Sequence, residues 1–227
     1  MLGIIIILIT SWLLLYYIER ENLRVLGFCP VNNRIFQFAI GVGFIFVLKL
    51  LFILIDTQML SISWTKSPTF NLNSFFLSGW YHLKAALTED LIFRGALLYI
   101  LIKKIGLQKG LLISAFAFGI YHWFSYGIIN SDKIILLIYV LATTGFTGYV
   151  WGYTFAKTKS IMMPLGFHFG WNFIITLFYD AQPYEHLIVK ETAKIELSAP
   201  YNTYYSLFIG LTPALVTLIF VKNIIKK

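Results

Sequence analysis

Residues 134 to 155 read IILLIYVLATTGFTGYVWGYTF, a stretch with no charged side chain from Ile134 to Phe155. A helix needs about 20 mostly apolar residues to cross about 30 Å of hydrocarbon, and at about 1.5 Å per residue this stretch is long enough. Working outward, the same length recurs at Leu2 to Ile18, Ile35 to Ile55, Leu111 to Ile129, Ile161 to Tyr179 and Tyr205 to Val221. Phe75 to Ile102 is also of helical character but too long for one straight crossing, so it is predicted to start along the interface and then dive. Seven crossings follow, an all-α polytopic transmembrane bundle, with residues 1–227 forming a single integral-membrane domain. Leu2 to Ile18 has no basic segment before it and no A-x-A-like site after it, which predicts a retained helix rather than a cleaved signal.

Composition agrees. The 227 residues are 59% hydrophobic and 12% charged, with mean hydropathy +0.77, whereas soluble domains run about 45–50% apolar and about 25% charged. A soluble fold has no place for so much apolar surface, and disorder is excluded by the same figures. Sixteen glycines rule out collagen, and the lone Cys29 rules out an internal disulfide framework. The net charge of +8 comes from residues spread between apolar spans rather than gathered in a stripe, so no nucleic-acid partner is expected.

The basic residues instead report sidedness. With seven crossings one side receives Arg20, Arg24, Arg34, Lys103, Lys104, Lys109, Lys157, Lys159, Lys222, Lys226 and Lys227, and the other only Lys66, Lys133, Lys190 and Lys194. The positive-inside bias makes the first side cytoplasmic, which puts the N-terminus outside and the C-terminus inside. The one long polar connection, Asp180 to Tyr204 with Glu185, Glu191 and Glu196, then lies outside.

Ionisable groups within membrane spans are expensive, and each is a functional candidate. Here they are Lys49, Glu89, Asp90, Arg94, His122 and His168, with Asn172 as an uncharged companion. Counting helical rise from the basic ends places Glu89 at a depth of about 21 Å, His122 and Asn172 at about 20 Å and His168 at about 14 Å. Asp90 and Arg94 are spaced to pair on one helix, while Glu89 is turned about 100° away and left free. His168 and Asn172 share a helix face. Small residues flank each element, among them Ala86, Gly95, Gly119, Gly166 and Gly170, and favour close helix approach. A buried Glu beside a His has the makings of a general base for water, and a second His with an Asn suits an oxyanion. His82, beside Trp80 and Tyr81, is explained by an interfacial position. Lys49 lacks a carboxylate at an obvious spacing and receives no role.

The segments Glu89-Asp90-Leu91-Ile92-Phe93-Arg94-Gly95, Phe118-Gly119-Ile120-Tyr121-His122 and His168-Phe169-Gly170-Trp171-Asn172 resemble the three motifs (EExxxR, FxxxH, HxxxN) of the CPBP family. That family holds the CAAX-type prenyl-protein endopeptidases and bacteriocin-processing proteins. The resemblance covers roughly residues 80–179, the motif-bearing core. It implies a glutamate-dependent intramembrane endopeptidase, with Glu89 activating water together with His122, and with His168 and Asn172 forming the oxyanion site. Asp90 and Arg94 would support them. This chain departs from the family in having Asp90 where a second Glu is usual.

Other classes stay open at this stage. A proton-coupled transporter also uses intramembrane Glu and His, though broken helices in matched halves and an internal repeat are not evident. A non-catalytic immunity or scaffold protein could keep the motifs. Within the enzyme class no cofactor is favoured, yet Glu89, His122 and His168 are competent Zn²⁺ ligands. The absence of H-E-x-x-H favours the metal-free form. The expected partners are the lipid bilayer and a membrane-associated protein or peptide substrate: a prenylated tail, a bacteriocin leader or a sorting signal. The expected location is a bacterial cell membrane.

Overall fold

The computed structural model describes residues 2–68, 70–180, 183 and 187–224. Lys226, Lys227 and Glu185, which entered the charge argument, lie outside the described residues. The helices are α1 (Leu2–Leu14), running on through a π-helical turn (Leu15–Glu19), then a 3₁₀ turn (Leu23–Leu26), α2 (Val31–Met59), α3 (Leu72–Phe93), α4 (Ala96–Ile105), α5 (Leu107–Ser125), α6 (Ile134–Thr158), α7 (Met162–Phe178) and α8 (Tyr201–Ile224). Two short strands, β1 (Ser63–Lys66) and β2 (Val189–Ala193), pair antiparallel. The all-α bundle expected from the apolar periodicity is therefore present, with one small ribbon added. By length and composition four segments can cross a membrane: Leu2–Glu19, the run Leu23–Met59 that contains α2, Ile134–Thr158 and Tyr201–Asn223. The outer surface carries large apolar side chains, with Ile135 83% exposed and Leu2 72%. Water does not tolerate such a surface, and lipid does.

Phe75 to Ile102 is not one helix. The chain breaks after Arg94, where Gly95 takes φ −90° and ψ −133°, and α4 starts afresh. A Cβ on Gly95 would run into the carbonyl of Leu91, so only glycine permits this turn. Depth counted along a straight helix from Lys103 to Glu89 therefore does not apply.

Helix directions follow from the contacts. Gly41 meets Met163 and Gly166, and Gly170 meets Val42 and Ile45, so α2 and α7 run parallel at close approach. A Cβ on Gly41 would stand 2.6 Å from the Met163 carbonyl, which makes this crossing one that small residues alone allow. The α3 and α7 pair is antiparallel, with Asp90 against His168 and His82 against Thr176. Likewise α5 and α6 form an antiparallel hairpin, Gly119 on Leu141 and Gly152 on Leu111. The core joins α2, α5, α6 and α7 through Ile45, Phe52, Phe118, Trp151 and Phe167.

The two ends differ. At one, Lys104 pairs with Glu19 at 3.1 Å, and Arg34 donates to the Thr158 carbonyl that ends α6. Ser160 donates to the carbonyl of Gly27 there, locking the α1 to α2 connection onto α7. At the other end the β1–β2 ribbon ties the loop after α2 to the loop after α7, in a register that sets Trp64 opposite Glu191. Leu187 is 2% exposed and packs with Ile53, Ile174 and Leu177 under this ribbon.

Candidate active site

The site starts from a local pair. Asp90 and Arg94, four apart on α3, are joined by Nη1 to Oδ1 at 2.7 Å, and both side chains are fully buried. The guanidinium also lies 3.8 Å from the ring centre of Phe118 and 5.0 Å from that of Trp151. The guanidinium thus meets one carboxylate and two aromatic faces, while its Nε and Nη2 have no hydrogen-bond partner among the described residues.

Asp90 does more than pair. The same oxygen accepts from His168 Nδ1 at 3.1 Å, which ties α7 to α3. With Nδ1 as donor, a neutral imidazole carries its lone pair on Nε2. That nitrogen faces Glu89 Oε2 at 3.7 Å, too long for a direct hydrogen bond and short enough for a shared water. The Glu89 carboxylate is 19% exposed, its Oε2 has no protein partner, and the Tyr121 phenol approaches it. The ring of His168 lies against Trp151, centres 4.6 Å apart.

His122 is fixed differently. Its Nδ1 donates to the Phe118 carbonyl one turn back at 2.8 Å, and its ring packs on Phe118, Tyr121 and Tyr126. Phe118 is the hub of the arrangement, in ring contact with both histidines and beneath the Arg94 guanidinium. The first residue of the FxxxH segment thus has a physical task, which is to separate the cation from the imidazoles and hold all three.

His122, His168 and Asn172 share the wall of one cavity of about 270 Å³, closed further by Tyr126, Trp151 and Pro213. Glu89 is not on that wall; it reaches the cavity through His168. The pairing by distance is thus Glu89 with His168, not Glu89 with His122 as the family resemblance implied. The reason is Asp90, which turns His168 so that its second nitrogen faces the neighbouring carboxylate. Among the described residues no group of three or more His, Cys, Asp or Glu is arranged to hold a metal ion. Glu89, His122 and His168, as placed, do not form a zinc donor set.

Tyr121 and Trp151 were not among the candidates named from the sequence. The position of Tyr121 beside His122 was the available signal for it, and Trp151 had none. The threonines Thr143, Thr144 and Thr147 on α6 were also missed, although their spacing put them on one face, and all three line the cavity. His82 packs between α3 and α7. It is 7% exposed and hydrogen-bonded to Thr176 at 2.7 Å, so a helix-to-helix bond explains it.

Residues 71–174 match the family described as Rce1-like, type II CAAX prenyl endopeptidase. The match spans a little under half of the chain, includes all three motif segments, and bears out the resemblance read from them. No curated protein and no solved structure matches. The chain is an integral membrane protein whose residues 71–174 are similar to that family.

Proposed function

We propose, on the premise that the Rce1-like segment carries the chemistry, that this chain is a metal-independent intramembrane endopeptidase in which Glu89 activates water. The observation that carries this reading is the Glu89 carboxylate itself, unpartnered at Oε2 and 3.7 Å from an imidazole nitrogen whose orientation Asp90 fixes. The substrate is a membrane-associated protein or peptide of the prenylated CAAX kind.

A water hydrogen-bonded to Glu89 Oε2 and His168 Nε2 gives one proton to the carboxylate as its oxygen attacks the scissile carbonyl carbon. The carbonyl oxygen becomes the oxyanion, and the amide of Asn172, on the cavity wall, donates to it. His122, whose Nδ1 is committed to the Phe118 carbonyl, lines the same cavity and helps to position the substrate. The carbon–nitrogen bond then breaks, and the proton held by Glu89 passes to the leaving amine. His168 thus takes the water-activating role that the resemblance gave to His122.

Asn172→Ala is expected to lower kcat by about 10²–10³-fold with a smaller effect on KM, since it removes one donor that matters in the transition state. Steady-state cleavage of a prenylated CAAX peptide measures this. An unchanged kcat removes Asn172 from the site.

Orientation completes the proposal. With the basic-rich end cytoplasmic and seven crossings, a reporter fused after residue 227 is expected to resist protease added outside intact cells. Its degradation would reverse the topology.

A further inference from the structure

Lys49 was given no role on sequence grounds, and its surroundings give it one. It lies on α2, is 6% exposed, and among the described residues has no hydrogen bond and no carboxylate within ion-pair distance. Its ammonium rests 4.8 Å from the ring centre of Trp171 and 5.7 Å from that of Tyr179. The acid farther along α2, Asp56, is occupied: Tyr179 donates to one oxygen at 2.8 Å and Tyr205 to the other. A cation within a membrane span needs an anion more than it needs two aromatic rings.

The position tells which anion. Ile45, one turn before Lys49, lines the cavity that holds His122 and His168, and so do Trp171 and Asn172. Lys49 therefore stands just past the cavity wall on the side of the β1–β2 ribbon. Gly170 on α7 meets Val42 and Ile45 on α2, so His168 lies near that level. From there to Lys49 is about 6–10 Å along the helix, and an extended peptide advances about 3.3 Å per residue. A substrate with its scissile carbonyl beside His168 thus brings a group two to three residues away to Lys49.

The geometry points to Lys49 as the anchor for a substrate carboxylate, specifically the free C-terminal carboxylate of a peptide cut two to three residues from its end. This inference rests on the proposed endopeptidase function for the identity of the peptide. Trp171 and Tyr179 hold the ammonium in place, while Asp56 attracts it from farther along α2 without forming an ion pair and has its two oxygens taken by phenols. Lys49 lies outside the 71–174 family match, so it adds to the motif residues rather than repeating them.

The test is a binding measurement on detergent-purified full chain, with fluorescently labelled prenylated peptides ending in a CAAX sequence as a free acid, as a C-terminal amide, and as an amide carrying Asp at the last position. Wild type is expected to bind the free acid about 10- to 100-fold more tightly than the amide, the range of a charge-assisted contact. Lys49→Met is expected to bind acid and amide alike, and Lys49→Arg to restore the preference. A role only in packing α2 on α7 would lower the thermal stability of Lys49→Met and leave the acid preference intact. That result, or equal binding of acid and amide by wild type, overturns the anchor. Recovery of tight binding by the Asp-bearing amide would overturn the C-terminal assignment in favour of an acidic side chain. Failure of the endopeptidase reading is separate: the acid preference would persist while wild type hydrolysed nothing.

Discussion

Glu89→Gln is expected to reduce kcat by about 10⁴-fold while substrate binding and thermal stability stay near wild type. The figure is at the upper end for a general base because the same carboxylate takes the proton from water and returns it to the leaving amine. The substitution keeps the shape of the side chain, and its one buried oxygen without a partner has no protein hydrogen bond to lose. His168→Ala is expected to come close to the same loss. The double variant should be little worse than either single one, since groups that act on one water are not additive. Stopped or single-turnover assays on the prenylated peptide measure all three. If the double variant shows the product of the two single losses, Glu89 and His168 do not act together.

Asp90→Ala is expected to destabilise the protein by about 3–5 kcal/mol, the cost of leaving a buried charge without its partner. Arg94 is fully buried and has this one carboxylate within bonding distance, and His168 loses the acceptor that orients it. The effect should show as a large fall in thermal stability in detergent together with loss of activity. Replacing both Asp90 and Arg94 by apolar residues is expected to recover much of the stability and none of the activity, because His168 stays without its acceptor. Urea or thermal unfolding followed by an activity assay separates the two contributions.

These two expectations show which parts of the site were legible before the fold was known. The Asp90–Arg94 pair is local, four residues along one helix, and spacing alone predicts it. The bond from Asp90 to His168 joins residues on α3 and α7, and nothing in either segment states how those helices are turned toward each other. That turn decides which histidine stands nearer Glu89, and the proposed roles of the two histidines rest on it. Gly95 was read as a small packing residue, but its ψ of −133° ends α3 and creates a helix break that apolar periodicity does not register. Asp56 falls just past the expected span Ile35 to Ile55. The helix continues to Met59, and the carboxylate is buried under two phenols that come from α8 and the end of α7. The β1–β2 ribbon was equally hidden, since four and five residues of mixed polarity become strands only once the loops after α2 and α7 are brought to the same end. The apolar spans over α1, α2, α6 and α8 were plain, because bilayer thickness fixes their length and excludes charge.

The central claim is that this membrane bundle hydrolyses a peptide bond with a water that Glu89 activates. The most direct measurement is mass spectrometry of the products when purified protein, pretreated with a chelator, meets a prenylated CAAX peptide in ¹⁸O-labelled water. The account predicts release of the C-terminal fragment, one ¹⁸O in the new carboxylate of the prenylated product, and no product above background from Glu89→Gln. Cleavage at an undiminished rate by Glu89→Gln, or activity that disappears with chelator and returns with Zn²⁺, would contradict it.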